Sequence, residues 1–301
     1  MLKNALPWLS LCFSVSLTSV ATAEWTAKKV SQIGGLHIPE CVVVDEPEAK
    51  AYVSNVAASV EGEGYDRFWA HDGNGFISRF LLPVAPLSSP TASEAEVWKK
   101  SSDSFRFSGP KGMCILGGWL WVADIDRVLR FALNGNQPPQ VIAVPGAKAL
   151  NDMATDGKNA YVSDSGAGKC YRLHPRGKHD EILAPAGING ITFFDGKMYG
   201  ASWSLRDIYQ LDPNGKQPPQ AFGLTDYFKT PDGIEVLRDG TFVVSDSEGN
   251  QVVTIFSDRR TVTKLLSCSA PADIGIDRRR SLLFVPRFFD GKVNVYQLKN
   301  N

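Results

Sequence analysis

One short motif recurs six times along the chain, and its spacing narrows the possible folds more than any other feature. Its clearest copy is Pro231-Asp232-Gly233-Ile234; the others are Pro39-Glu40-Cys41, Pro110-Lys111-Gly112, Leu150-Asn151-Asp152, Ile188-Asn189-Gly190 and Pro271-Ala272-Asp273. Each copy precedes a turn and then β-branched or aromatic runs, such as Tyr161-Val162-Ser163-Asp164 followed by Lys169-Cys170-Tyr171-Arg172. Measured at the residue after the Pro or its equivalent, the spacings from Lys111 onward are 40, 38, 43 and 40 residues. A period near forty with several short strands per unit predicts a β-propeller, one blade per copy. The expected fold class is all-β, a six-bladed β-propeller. A repeat running end to end argues for one domain over residues 24–301, because a blade buries its faces only against its neighbours.

Charge excludes one class of partner. The 301 residues carry 32 basic and 32 acidic side chains. No nucleic acid is expected, since phosphate backbones reward clustered Lys and Arg, and Arg278-Arg279-Arg280 falls at a turn between two strands. Residues 1–23 read as a signal peptide: Lys3, an apolar core from Ala5 to Leu17, and Ala21-Thr22-Ala23 before Glu24. That core is too short for a permanent membrane span, so the mature chain is expected to be exported, periplasmic or secreted. Four cysteines follow the leader, Cys41, Cys114, Cys170 and Cys268. Their even number in an oxidising compartment permits two disulfides, while Cys41 and Cys114 also suit buried positions as small apolar groups.

A propeller ring has to be closed, commonly by one terminus completing the last blade. The short strand around Thr26–Ser31 is expected to do this, beside the C-terminal run from Val293 to Leu298. Blade one carries the irregularities. A long stretch at about residues 55–74 includes Tyr65, Arg67, Phe68, Trp69 and His71, and a second, rich in Pro and Ser, covers about residues 83–108. Long loops in compact domains are commonly functional, so Arg67 and Trp69 are candidate substrate contacts.

In a propeller the first strand of every blade lines the central channel, so the residues that open these strands converge on one axial spot. The six are Glu40, Lys111, Asn151, Asn189, Asp232 and Ala272. Four oxygen-bearing side chains in register suit a hard divalent cation, Ca²⁺ above all. Asn and Asp before Gly also form turns, and the recurrent Ser-Asp pairs at 163–164 and 245–246 read more simply as turn formers. No Ser/His/Asp constellation or Gly-x-Ser-x-Gly elbow is present.

With Glu40 after Pro, Asn151 before Asp, Asn189 before Gly and Asp232 in Pro-Asp-Gly, the chain resembles the senescence-marker-protein/gluconolactonase/luciferin-regenerating-enzyme-like propellers, with paraoxonases and NHL-repeat propellers as relatives. The resemblance runs over the whole mature chain. It implies a metal-dependent hydrolase of small-molecule lactones or esters, with Glu40, Asn189 and Asp232 as metal ligands. It gives Asn151 to substrate or to the metal, and Asp232 to the general base, with His37 on the same rim as the alternative base. Lys111 departs from the pattern: it either binds a substrate carboxylate or takes the cation's place beside Glu40. In that second case the chain is a non-catalytic propeller that binds a ligand or protein partner.

Overall fold

Paired turn residues cut the chain into short strands. Asp195 and Gly196 (φ 49° and 70°) form a two-residue hairpin corner between Ile188–Phe194 and Lys197–Ser202, the geometry whose twist matches the flanking strands. The computed structural model describes residues 24–58, 64–82, 91–174 and 179–300. The expected signal peptide, Cys12, and parts of both blade-one stretches lie outside these residues. Among the described residues no helix is long and apolar enough to cross a membrane.

Six antiparallel sheets form the six expected blades. Blades two to five each run outward as four consecutive strands, starting at Pro110–Leu116, Leu150–Thr155, Ile188–Phe194 and Pro231–Val236. Blade six takes Gly275–Asp277, Leu282–Arg287 and Lys292–Asn300 from the C-terminus and Trp25–Gly34 from the N-terminus. The N-terminal strand pairs antiparallel with the C-terminal one from Trp25↔Asn300 to Ile33↔Val293, which closes the ring. The stretch read as a second insertion supplies two strands. Glu96–Lys100 is the fourth strand of blade one, and Thr91–Glu94 pairs parallel with Trp25–Gly34 to cover the edge of blade six.

The core is a set of interblade layers. Each of six buried apolar clusters among the described residues spans one blade-to-blade interface; the layer between blades two and three, for example, joins Cys114, Trp121 and Val128 to Leu150, Tyr171 and Leu173. Apolar residues on both faces of the inner strands follow from this, since each sheet is covered on both sides. The four described cysteines are buried and free, so none forms a disulfide there.

Candidate functional site

Every first strand begins with the same irregularity. In blades one to five the pairing with the second strand shifts by one residue after the first position, between Pro39 and Val42, Pro110 and Met113, Leu150 and Met153, Ile188 and Ile191, and Pro231 and Ile234. Blade six repeats the shift between Pro271↔Arg287 and Gly275↔Phe284. A β-bulge re-aims side chains and leaves main-chain groups outside the ladder. Here its two residues supply two stacked rings around the axis.

The Ser-Asp echoes of the second strands hold these bulges in place. Ser54, Ser163 and Ser245 accept the main-chain N–H of the second bulge residue, Cys41, Asp152 and Gly233, at 2.8–2.9 Å. The next residue clamps the chain entering the blade. Asp124 accepts from Ser108 N, Asp164 from Lys148 N and Ala149 N, and Asp246 from Lys229 N and Thr230 N, while Asn55 does the same for His37 N. These buried groups satisfy main-chain donors that would otherwise be costly, so the echoes are a structural device.

The upper ring contains the expected residues. Glu40, Lys111, Asn151 and Asn189 are between 3% and 9% exposed, and Asp232 is half-buried. Asn189 Nδ2 donates to Asp232 Oδ1 (2.8 Å), which leaves the Asn189 amide oxygen for another partner. Asn151 Nδ2 donates to Ser165 Oγ (3.1 Å), with the same consequence. Glu40 Oε2 is buried without a hydrogen-bond partner. Burial raises the Glu40 carboxyl well above the usual range against the pull of Lys111, with Asp232 and Asp152 adding repulsion. Burial likewise pushes Asp232 up to about 6, opposed by Lys111 and by the Asn189 hydrogen bond. Lys111 is lowered by burial and raised by Glu40 and Asp232.

The lower ring, which sequence reasoning did not single out, consists of Cys41, Gly112, Asp152, Gly190, Gly233 and Asp273. The ligand atoms of Cys41, Asp152 and Asp273 lie within 4.8 Å of one another and border an axial cavity of about 110 Å³. Asp152 accepts from Met153 N and Ile191 N, both at 2.6 Å. Its carboxyl also meets that of Asp273, which in turn contacts the Cys41 thiol. The glycines make room: a Cβ on Gly112 would run into Asp152, and one on Gly233 into Asp273.

The blade-one loop caps the upper ring. Its short 3₁₀ helix, Tyr65–Trp69, seats Phe68 against Phe288 and places Trp69 over Lys111, whose Nζ is 4.2 Å from the ring centroid. The Arg67 guanidinium lies over the Phe68 ring at 4.8 Å, and its Nε is buried without a hydrogen-bond partner. The cap thus brings Trp69 to the site, with Arg67 beside it. His37 is exposed; its main chain bonds to Asn55 and Ala57. His71 contacts Ser108 through Nδ1 (2.9 Å) and approaches Asp126 through Nε2 (4.0 Å).

No family model matches the chain, and a search of curated proteins gives no match either. Solved structures do match. Virginiamycin B lyase from Staphylococcus aureus, in a catalytically inactive form with quinupristin, superposes with TM-score 0.62 at 12% identity over 91% of this chain and 99% of that one. A luciferin-regenerating enzyme gives 0.62 at 15% over 89% and 92%, and a candidate gluconolactonase 0.61 at 15% over 92% and 92%. At these identities the likeness is one of fold, and two of the three neighbours carry the names of the group whose ring pattern the sequence resembles.

Proposed function

We propose that the chain is a metal-assisted hydrolase of lactones or esters, with a divalent cation, Ca²⁺ by its all-oxygen donors, held by Glu40, Asn189 and Asp232. The supporting observation is the orphaned Glu40 Oε2, buried at the head of the axis beside Asp232 and Asn189. A buried carboxylate oxygen with no donor is costly, and a cation is the partner that the neighbouring amide and carboxylate oxygens can share. When bound, the cation polarises the substrate carbonyl as a Lewis acid. Asp232, fixed by Asn189, accepts the proton of the attacking water as that water adds to the carbonyl carbon. The carbon–oxygen ester bond then breaks, and the proton passes to the leaving alkoxide. Asn151, anchored on Ser165, orients the substrate, and the Trp69 cap restricts bulk water. Export follows from residues 1–23 and is part of the same proposal.

Lys111 favours a second reading, because its ammonium already acts electrostatically on Glu40 and Asp232. On that reading the ring is a metal-free anchor and the propeller a binding module. Calcium titration of the chelated protein, followed by thermal unfolding, divides the two. A midpoint that rises with calcium in the wild type, but not in Asp232→Ala, supports the hydrolase. Asp232→Ala should then keep its fold and lose about 10²-fold or more of its kcat on a lactone and aryl-ester panel. No calcium response in the wild type, with one gained in Lys111→Met, would favour the binding module.

A further inference from the structure

Of the six upper-ring positions, Glu40, Asn189 and Asp232 are explained by a cation site, Asn151 by substrate and Ala272 by simple packing; Lys111 is not. Ala272 shows that an apolar residue suffices at this level of the channel. Lys111 is nonetheless 3% exposed, and its electrostatic partners Glu40 and Asp232 are the carboxylates a divalent cation would occupy. Among the described residues no carboxylate lies within ion-pairing distance of its Nζ, which rests on the Trp69 indole instead. Burying an ammonium is costly unless a counter-charge meets it.

Counting charge shows what is missing. With both carboxylates ionised, as a bound dication requires, Glu40, Asp232 and Lys111 together carry −1. Adding a dication takes the ring to +1, whereas the same ring without the lysine would be neutral. The Asp152 and Asp273 pair below, which shares one proton, offsets that charge across the channel, but no carboxylate meets Nζ itself, so an anion on the substrate is the partner that can pair with the ammonium directly. The cap supplies a second cation, since Arg67, two residues from Trp69, has its Nε buried without a partner. The adjoining walls are aromatic: Trp69, Phe68 and Phe288. A carboxylate on an apolar body fits both features, with the charge at Lys111 and the body beneath the indole.

Resting on the hydrolase reading, we propose that Lys111 is a specificity-determining residue that selects lactones or esters carrying their own carboxylate. The test uses the calcium-loaded full chain and a matched pair of substrates, a butyrolactone bearing a ring carboxylate and its primary carboxamide. The wild type should prefer the carboxylate by about tenfold or more in kcat/KM, and Lys111→Met should bring the ratio to about one. Lys111→Arg, which keeps the charge, should retain the preference. A ratio near one in the wild type, or an unchanged ratio in Lys111→Met, overturns the proposal.

Binding of cyclopentanecarboxylate and its amide, measured by calorimetry on the same proteins, keeps the two readings apart. If neither lactone is turned over, the hydrolase reading fails. The anion site then stands if the carboxylate binds more tightly than the amide and Lys111→Met abolishes the difference, and falls if the two bind alike.

Discussion

Asp152 and Asp273 face each other in the channel with room for one proton between their carboxyl groups. Two main-chain N–H groups point at Asp152, so it is the acceptor of the pair and Asp273 carries the proton. Burial holds Asp273 well above the usual carboxylate range and lifts Asp152 to about 7. A folded state with raised carboxyl pKa values binds more protons than the unfolded chain. The stability that these groups contribute is therefore complete below the ordinary carboxylate pKa, and is lost as pH rises toward about 7 and beyond. The chelated protein should show a melting temperature that falls between about pH 5 and pH 8. Asp273→Asn keeps a donor toward Asp152 and an acceptor for the Cys41 thiol without a titrating proton, so it should make that slope shallower, the remainder coming from Glu40 and Asp232, whose carboxyls burial also raises. A slope that is unchanged in Asp273→Asn would place its origin elsewhere.

The repeated bulge is the element that joins fold to site. At Gly190 the space for a side chain is filled by the main chain of the next blade, the Asp232 carbonyl and Gly233 Cα. Gly190→Ala should push the blade-five bulge outward, with a loss of about 2–4 kcal/mol in denaturant unfolding and a weaker calcium response, because Asp232 moves with its strand. Stability lost with calcium binding intact would show the two to be uncoupled. The same bulge explains what the sequence disclosed. Glu40, Asn151, Asn189 and Asp232 were legible because a fixed register after Pro or its equivalent carries each to the axis. The lower ring was not, since Cys41, Asp152 and Asp273 share it with three glycines, Gly112, Gly190 and Gly233, that show no chemistry of their own. The Ser-Asp pairs, read as turn formers, end the second strands instead, and of the two, among the described residues, only Asp164 accepts main-chain N–H groups from its own turn, those of Gly166 and Ala167. The chain that each Asp clamps lies about sixteen residues upstream, a tertiary relation that local pattern does not encode. Trp69 over Lys111 is of the same kind, and Glu96–Lys100 was hidden because an outer strand exposed on both faces loses its alternation.

At the scale of the whole molecule, six interblade layers form an uninterrupted circle, and the sheet of blade six is completed by Trp25–Gly34 joining Lys292–Asn300. A chain beginning at residue 35 would leave blade six with three strands and expose the edges of Lys292–Asn300 and Thr91–Glu94. It should unfold at a markedly lower denaturant midpoint and aggregate on heating, measured against the chain from residue 24. An undiminished midpoint would mean that packing around the axis closes the ring without this strand. The pairing also sets a timetable. The first strand of the propeller to leave the ribosome is matched with the last to appear, so every intermediate length is an open arc with bare edges. Completion is thus a single late event, and the ring residues Glu40 and Asp232, from opposite parts of the arc, acquire their final separation only when it has occurred.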